Sequence, residues 1–248
     1  MKPVIEQIPY FADNIAWLVR CENSALVVDP GNAEAVSSFI DREGITLSGI
    51  LVTHHHSDHI GGLDKMINRT GAPVYGPNDR RLPLVNHHVH DGETIDAGAF
   101  RFEVISVPGH TSTHVAYYFT DCETIFTGDV LFAGGCGRVF EGSPAEMLAS
   151  LKRIAELPPK TLVCCGHDYT RSNLEFAMTV DRNNLLLAQR LASLDKRERF
   201  MPETIAVELA TNPFLRCGDE GIRASIKMST GDSDEDVFAR LRSLKNSY

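Results

Sequence analysis

The chain has 248 residues, room for one large domain or a domain with an appendage. At 43% hydrophobic and 23% charged it has an ordinary soluble composition, and no apolar stretch is long enough to span a membrane. A net charge of -9 argues against broad binding to nucleic-acid phosphates. The start, Met1-Lys2-Pro3-Val4-Ile5-Glu6, lacks the apolar core of a secretory signal. Cys21, Cys122, Cys136, Cys164, Cys165 and Cys217 form no C-x-x-C pair, so they read as reduced thiols of a cytoplasmic protein.

The first half predicts short strands separated by turns. Ile15–Val19 and Ala25–Val28 form a strand pair, and Asp29-Pro30-Gly31-Asn32 is a turn. Ala33 to Glu43 is helical and ends near Gly44. A strand over Gly49–Val52 follows, then a His-rich loop with Asp58 as a helix N-cap, then a helix over Leu63–Asn68. Further strands are expected at Pro73–Tyr75, Phe100–Ile105, Val115–Phe119 and Thr124–Phe126. Pro144 to Leu157 is a helix capped by Ser143. After a strand at Thr161–Cys165 the pattern turns helical: Asn173–Val180, Asn183–Leu194, Thr204–Ala210, Glu220–Met228 and Ser233–Leu244. The expected division is a mixed strand–helix domain over 1–170 and a helical region over 171–248.

Thr53 to Gly62 contains H-x-H-x-D-H: His54, His56, Asp58 and His59. Imidazoles and carboxylates are costly to gather unless something positive holds them, so the cluster points to metal. The chain leaves the preceding strand extended, and side chains alternate there. His54, His56 and Asp58 then face one way, while His55 and Ser57 face the other. His59, on the first helical turn, is aimed at a different point. The spacing suits two adjacent centres, His54 with His56 and Asp58 with His59.

Three later segments repeat the pattern of strand, Gly and ligand. They deliver His110 after Gly109, Asp129 after Gly128 and His167 after Gly166. His110 completes a three-His set with His54 and His56. His167 joins Asp58 and His59, and Asp129 can bridge two ions. Such a set leaves a position for water, as a catalytic metal site must.

This constellation resembles the metallo-β-lactamase superfamily, over roughly residues 10 to 170. Within it the chain resembles the glyoxalase II (hydroxyacylglutathione hydrolase) family. The resemblance rests on Pro108-Gly109-His110-Thr111, Phe126-Thr127-Gly128-Asp129, Gly135-Cys136-Gly137-Arg138 and Cys165-Gly166-His167-Asp168-Tyr169-Thr170. Asn212-Pro213-Phe214-Leu215-Arg216 and the ending Arg240–Lys245 extend it to the tail. It implies an α+β fold, a four-layer αββα sandwich with a C-terminal helical appendage. It also implies two divalent metal ions, zinc first with iron or manganese as alternatives.

The implied reaction is hydrolysis of S-D-lactoylglutathione to D-lactate and glutathione by a metal-bridging hydroxide, in a monomer that needs neither nucleic acid nor membrane. A thiolate leaves readily, its conjugate acid having a pKa near ~8.5, so no strong general acid is required. Asp58 is open to an orienting or proton-accepting role. Arg138 and Tyr169 match substrate-contacting positions of the family. Arg242 and Lys245, three apart on one helix face, read from charge pattern alone as a solvated basic helix end. The resemblance instead places them on the glycine carboxylate of glutathione. Phe140 departs from the eukaryotic members of the family, which carry Tyr there, and loses the hydrogen bond of that hydroxyl to substrate.

Other features are expected to be structural. His87, His88 and His90 read as a surface loop, His114 as a supporting residue, His55 as turned away from the metals and Cys136 as packing. Asp29 reads either as a support for the ligand loop or as an ordinary turn residue. Rival activities on the same fold are a lactonase or a glutathione persulfide dioxygenase. The complete second ligand set and the basic tail count against both. Net acidity counts against a nucleic-acid processing member, and open coordination positions count against a noncatalytic metal-binding domain.

Overall fold

The computed structural model describes residues 2–196 and 201–248. The chain forms two compact units, Met1–Ser106 with Thr113–Gly128, and Val107–Ser112 with Asp129–Tyr248. No helix among the described residues is long and apolar enough to cross a membrane.

The first unit is built on β1 (Val4–Tyr10), β2 (Asn14–Cys21), β3 (Ser24–Val28), helix α1 (Ala33–Glu43) and β4 (Thr46–Leu51). Helices α2 (Ser57–Ile60) and α3 (Leu63–Thr70) follow, then β5 (Val74–Pro77), β6 (His87–Val89), β7 (Thr94–Ala97), β8 (Phe100–Ser106), β9 (Val115–Phe119) and β10 (Thr124–Gly128). Strands β1 to β6 make one sheet in sequence order, antiparallel through β3 and parallel from β3 to β6. Parallel strands need crossovers, and α1 supplies the one between β3 and β4. Strands β10, β9, β8 and β7 pair antiparallel in a second sheet.

The central strands of the first sheet are apolar on both faces because both are covered. On one face Ala16, Leu18, Val27, Ile50 and Val52 pack with Val36 and Ile40 of α1 and Leu63 and Met66 of α3. On the other, Trp17 meets Phe126 at 6.3 Å and Tyr75 meets Phe102 at 6.0 Å between ring centroids. The Tyr117 hydroxyl crosses to donate to the Val52 carbonyl at 2.6 Å. Burial holds that phenol well above its usual pKa, so it stays a donor.

Helix α1 has the predicted bounds, with Asn32 capping the Ala35 N–H and Gly44 left-handed at its end. The ligand helix differs from expectation. It starts at Ser57, His56 occupies the cap position and no side chain caps it. Asp58 therefore lies inside the first turn. The histidines of 87–90 are exposed as expected, yet His87 and His88 belong to edge strand β6, where His87 stacks on Tyr75 at 4.7 Å. The run is too polar to signal a strand; parallel pairing with β5 makes it one.

The second unit begins its regular structure with the short hairpin β11 (Leu131–Phe132) and β12 (Gly135–Cys136). Helix α4 (Pro144–Ala155) opens on a full capping box between Ser143 and Glu146. Strand β13 (Leu162–Cys165) leads into α5 (Thr170–Val180) and α6 (Leu185–Ser193). A two-residue strand, β14 (Glu203–Thr204), pairs with β13, although no residue pattern announces it. Helices α7 (Ile205–Thr211), α8 (Glu220–Ser225) and α9 (Asp234–Asn246) complete the helical region. Leu174, Ala177, Leu187 and Leu194 join α5 to α6, and Phe214 stacks on Phe176 and meets Phe238 edge-on.

Candidate metal centre

Each unit carries its own set of ligand side chains at strand ends. In the first unit the set is contiguous, and one buried carboxylate organises it. Asp29 accepts from the Thr53 N–H at 2.8 Å, from the Thr53 hydroxyl at 2.7 Å and from His59 Nδ1 at 3.0 Å. Since Thr53 gives its proton to Asp29, its oxygen accepts from His54 Nδ1 at 2.9 Å. These bonds set both tautomers and leave Nε2 of His54 and His59 as the atoms that could ligate a metal. Asp29 also lies within metal-ligand spacing of His54 and His59. Its oxygens serve Thr53 and His59 instead, so its role is to brace the loop. The supporting alternative for Asp29 thus holds over the ordinary turn.

His54 Nε2 and His56 Nδ1 are 3.1 Å apart, and His59 Nε2 is 3.6 Å from Asp58 Oδ2. Two ligands on one tetrahedral ion, at bonds near 2.1 Å, stand about 3.4 Å apart. Both pairs have about that spacing. Asn14 donates to Asp58 Oδ2 at 2.9 Å, and the Tyr10 hydroxyl donates to the Asp58 carbonyl at 2.8 Å. Neither residue carries a motif in the sequence. Both arrive through the β1–β2 pairing, which no local pattern announces.

The remaining residues of this loop fall as expected. His55 turns toward Asp79, at 3.9 Å, and hydrogen bonds from Arg81 hold that carboxyl well below the usual carboxylate range. His114 is fully buried and stacks on His54, with ring centroids 4.6 Å apart. Gly31 is required by space, since a Cβ there would lie 1.7 Å from the Asp58 carbonyl oxygen. Gly128 is required twice: its φ is +48°, and a Cβ would meet the Thr53 hydroxyl at 2.5 Å.

In the second unit the candidate ligands are scattered in sequence. His110 Nε2 and His167 Nε2 each lie 3.4 Å from Asp129 Oδ2, the separation of co-ligands around a shared carboxylate oxygen. All three side chains are buried. His110 Nδ1 donates to the Arg138 carbonyl at 2.8 Å, so Nε2 is the atom that could ligate a metal. These imidazole and carboxylate donors fit divalent zinc, iron or manganese.

The residues expected to meet substrate lie in the same unit. Arg138 is exposed. Tyr169 stacks on His167 at 4.9 Å and is 37% exposed. Phe140 is exposed and presents its ring edge to His110 at 5.3 Å. Arg242 is buried, donating from Nη1 to the Cys136 carbonyl at 2.7 Å and from Nε to Asn246 at 3.0 Å, with its guanidinium over the Phe214 ring. Lys245 donates to the Ser172 carbonyl at 2.9 Å and hydroxyl at 2.8 Å. Burial, with Arg242 nearby, brings the Lys245 pKa down to about 8. Burial raises the Cys136 thiol, which suits packing rather than metal binding.

Comparison with known proteins shows the family. The metallo-beta-lactamase superfamily matches residues 14–167, and the hydroxyacylglutathione hydrolase C-terminus matches residues 168–248. The hydroxyacylglutathione hydrolase of Methylobacillus flagellatus is 43% identical over 244 residues, covering 96% of each chain. The crystal structure of ETHE1 from Myxococcus xanthus aligns with a TM-score of 0.71 at 26% identity, over 97% of this chain and 91% of that one. The di-iron-bound form of TTHA1623 aligns with a TM-score of 0.62 at 28% identity, over 82% of this chain and 95% of that one. The α+β fold is that of the metallo-β-lactamases, and its His/Asp donor sets are suited to divalent metal ions. The chain belongs to the metallo-β-lactamase superfamily and, within it, to the hydroxyacylglutathione hydrolase family.

Proposed function

We propose that this protein hydrolyses S-D-lactoylglutathione, and related 2-hydroxyacyl thioesters of glutathione, to the hydroxy acid and glutathione. The observation that carries this reading is similarity to hydroxyacylglutathione hydrolases along nearly the full length, including the C-terminal region. In this reading His54, His56 and His110 hold one divalent ion, Asp58, His59 and His167 hold a second, and Asp129 serves both. Zinc is the first choice, because the imidazole and carboxylate donors suit it. The spacings inside each half-set support the assignment. Divalent ions there would lower the pKa of bound water and polarise the thioester carbonyl.

The side chains then have distinct tasks. Asp58, its carboxylate pinned by Asn14, orients the attacking water or takes its proton. The leaving thiolate needs no strong acid. Residues 171–248 form the substrate-binding region of the 1–170 metal domain. Arg242 and Lys245 there meet the glycine carboxylate of glutathione, while Arg138 and Tyr169 contact its peptide part. Arg138 and Tyr169 are well placed for this, since the carbonyl of one and the ring of the other rest on ligand histidines. The protein acts as a cytoplasmic monomer; its six free thiols suit a reducing compartment.

The test is a thioester assay on metal-replete protein, repeated after chelation. Turnover of S-D-lactoylglutathione should vanish with the metal and return with added zinc. Metal-replete protein that leaves the thioester intact would overturn the reading.

A further inference from the structure

The hairpin β11–β12 has only two residues in each strand, far below what stands alone in water. Its place is set from outside, by side chains of the C-terminal helical region on five successive residues. Asn212 Nδ2 donates to the Phe132 carbonyl at 3.4 Å and the Gly135 carbonyl at 2.9 Å. Asn173 Nδ2 donates to the Ala133 carbonyl at 3.2 Å. Glu208 Oε2 accepts from the Gly134 N–H at 2.9 Å and from Asn212 Nδ2 at 3.0 Å. Arg242 holds the Cys136 carbonyl. Glu208 is fully buried, and its other oxygen accepts from the buried Arg190 guanidinium.

A buried ion pair is a weak stabiliser, because desolvation consumes most of its attraction. Its geometry is what it supplies. The hairpin it orders lies between two parts of the ligand set. Asp129 is two residues before it, and the Arg138 carbonyl that orients His110 is two residues after it. Gly137 lies so close that a Cβ there would stand 1.9 Å from the Asp129 carbonyl oxygen. The Phe132 ring also packs edge-on against His167 at 6.1 Å. A shift of the hairpin would therefore reach all three ligands.

We propose that Glu208 and Asn212 are positioning residues for the metal ligands, acting through the backbone of residues 132–135. The helical region then orders the chemistry as well as contacting substrate. This rests on the reading of His110, Asp129 and His167 as ligands. The informative variant is Asn212→Ser. It keeps an acceptor for the Phe214 N–H, which Asn212 now caps, but cannot reach the hairpin carbonyls.

The expected result is a folded protein whose zinc affinity, measured by competition with a chromophoric chelator, falls about 10- to 100-fold, with a similar loss in kcat. Glu208→Gln should show a smaller loss in both, since it keeps an acceptor for Gly134, and it decides the matter alone if Asn212→Ser does not fold. Ser225→Ala, which loses a bond to the Val180 carbonyl in the same region, should lower Tm and leave both readouts unchanged. Unaltered zinc affinity and kcat in folded Asn212→Ser and Glu208→Gln overturn the proposal, whatever happens to Tm. Asp129→Asn separates the two readings. If it binds zinc as tightly as the unaltered protein, the ligand assignment fails. If it weakens zinc while Asn212→Ser does not, only the positioning role fails.

Discussion

The two ligand sets are braced in opposite ways. In the first unit four ligands lie within six residues, and one carboxylate, Asp29, directly orients His59 and, through Thr53, His54. In the second unit three ligands lie far apart in sequence. There the carbonyl of Arg138 orients His110, and Asn212, Glu208 and Asn173 hold the backbone next to Asp129. A contiguous set needs one side chain to fix its tautomers. A dispersed set needs its backbone held in place first, because each ligand arrives on a different strand end.

That contrast predicts where damage is large. Asp29→Asn should cost about 10- to 100-fold in zinc affinity and kcat, as much as Asn212→Ser. Asn tolerates the left-handed φ of 50° at this position, so the change isolates chemistry from backbone strain. Its amide would present a donor toward Thr53 and His59, where donors already point. A zinc titration showing unaltered affinity would mean that the loop needs no brace, and the comparison between the two sets would fail.

A smaller effect is expected at Lys245. Its ammonium persists below pH about 8 and is lost above it, because the folded pKa is depressed by burial and by Arg242. If this charge meets the substrate carboxylate, KM should rise about 2- to 5-fold as pH passes through 8, the range of a partly exposed ion pair. Lys245→Arg keeps its charge and should flatten the rise. A KM independent of pH across this window would remove Lys245 from the substrate site.

The smallest change expected is at Phe140, whose ring is 62% exposed beside His110. Phe140→Tyr adds a hydroxyl there and should lower KM by roughly twofold, since water competes for an exposed hydrogen bond worth about 0.5 kcal/mol. An unchanged KM would show that this protein binds its substrate without that contact.

The candidate ligands are legible in the sequence, because metal chemistry restricts residue type and spacing tightly. His54, His56, Asp58 and His59 sit in one short run, and Gly109, Gly128 and Gly166 mark the other strand ends. Helix α1 is equally legible, with Asn32 and Gly44 as its punctuation. Where local codes are weak, pattern and fold diverge. Asp58 has the chemistry of an N-cap, yet the helix starts at Ser57, and Asp58 bonds to Asn14. Strand β6 is too polar to announce itself, and β14 too short.

Local residue patterns thus single out the candidate donors of this protein and their order along the chain. The supports are decided by tertiary structure alone. Asn14 reaches Asp58 through strand pairing over 44 positions, Asp29 reaches His59 over 30, and Asn212 reaches Gly135 over 77. A supporting side chain needs only a donor or acceptor at the right place, so many residue types would serve and no local motif records it. A ligand must offer a particular atom to a particular ion, and that demand is written in the residue itself.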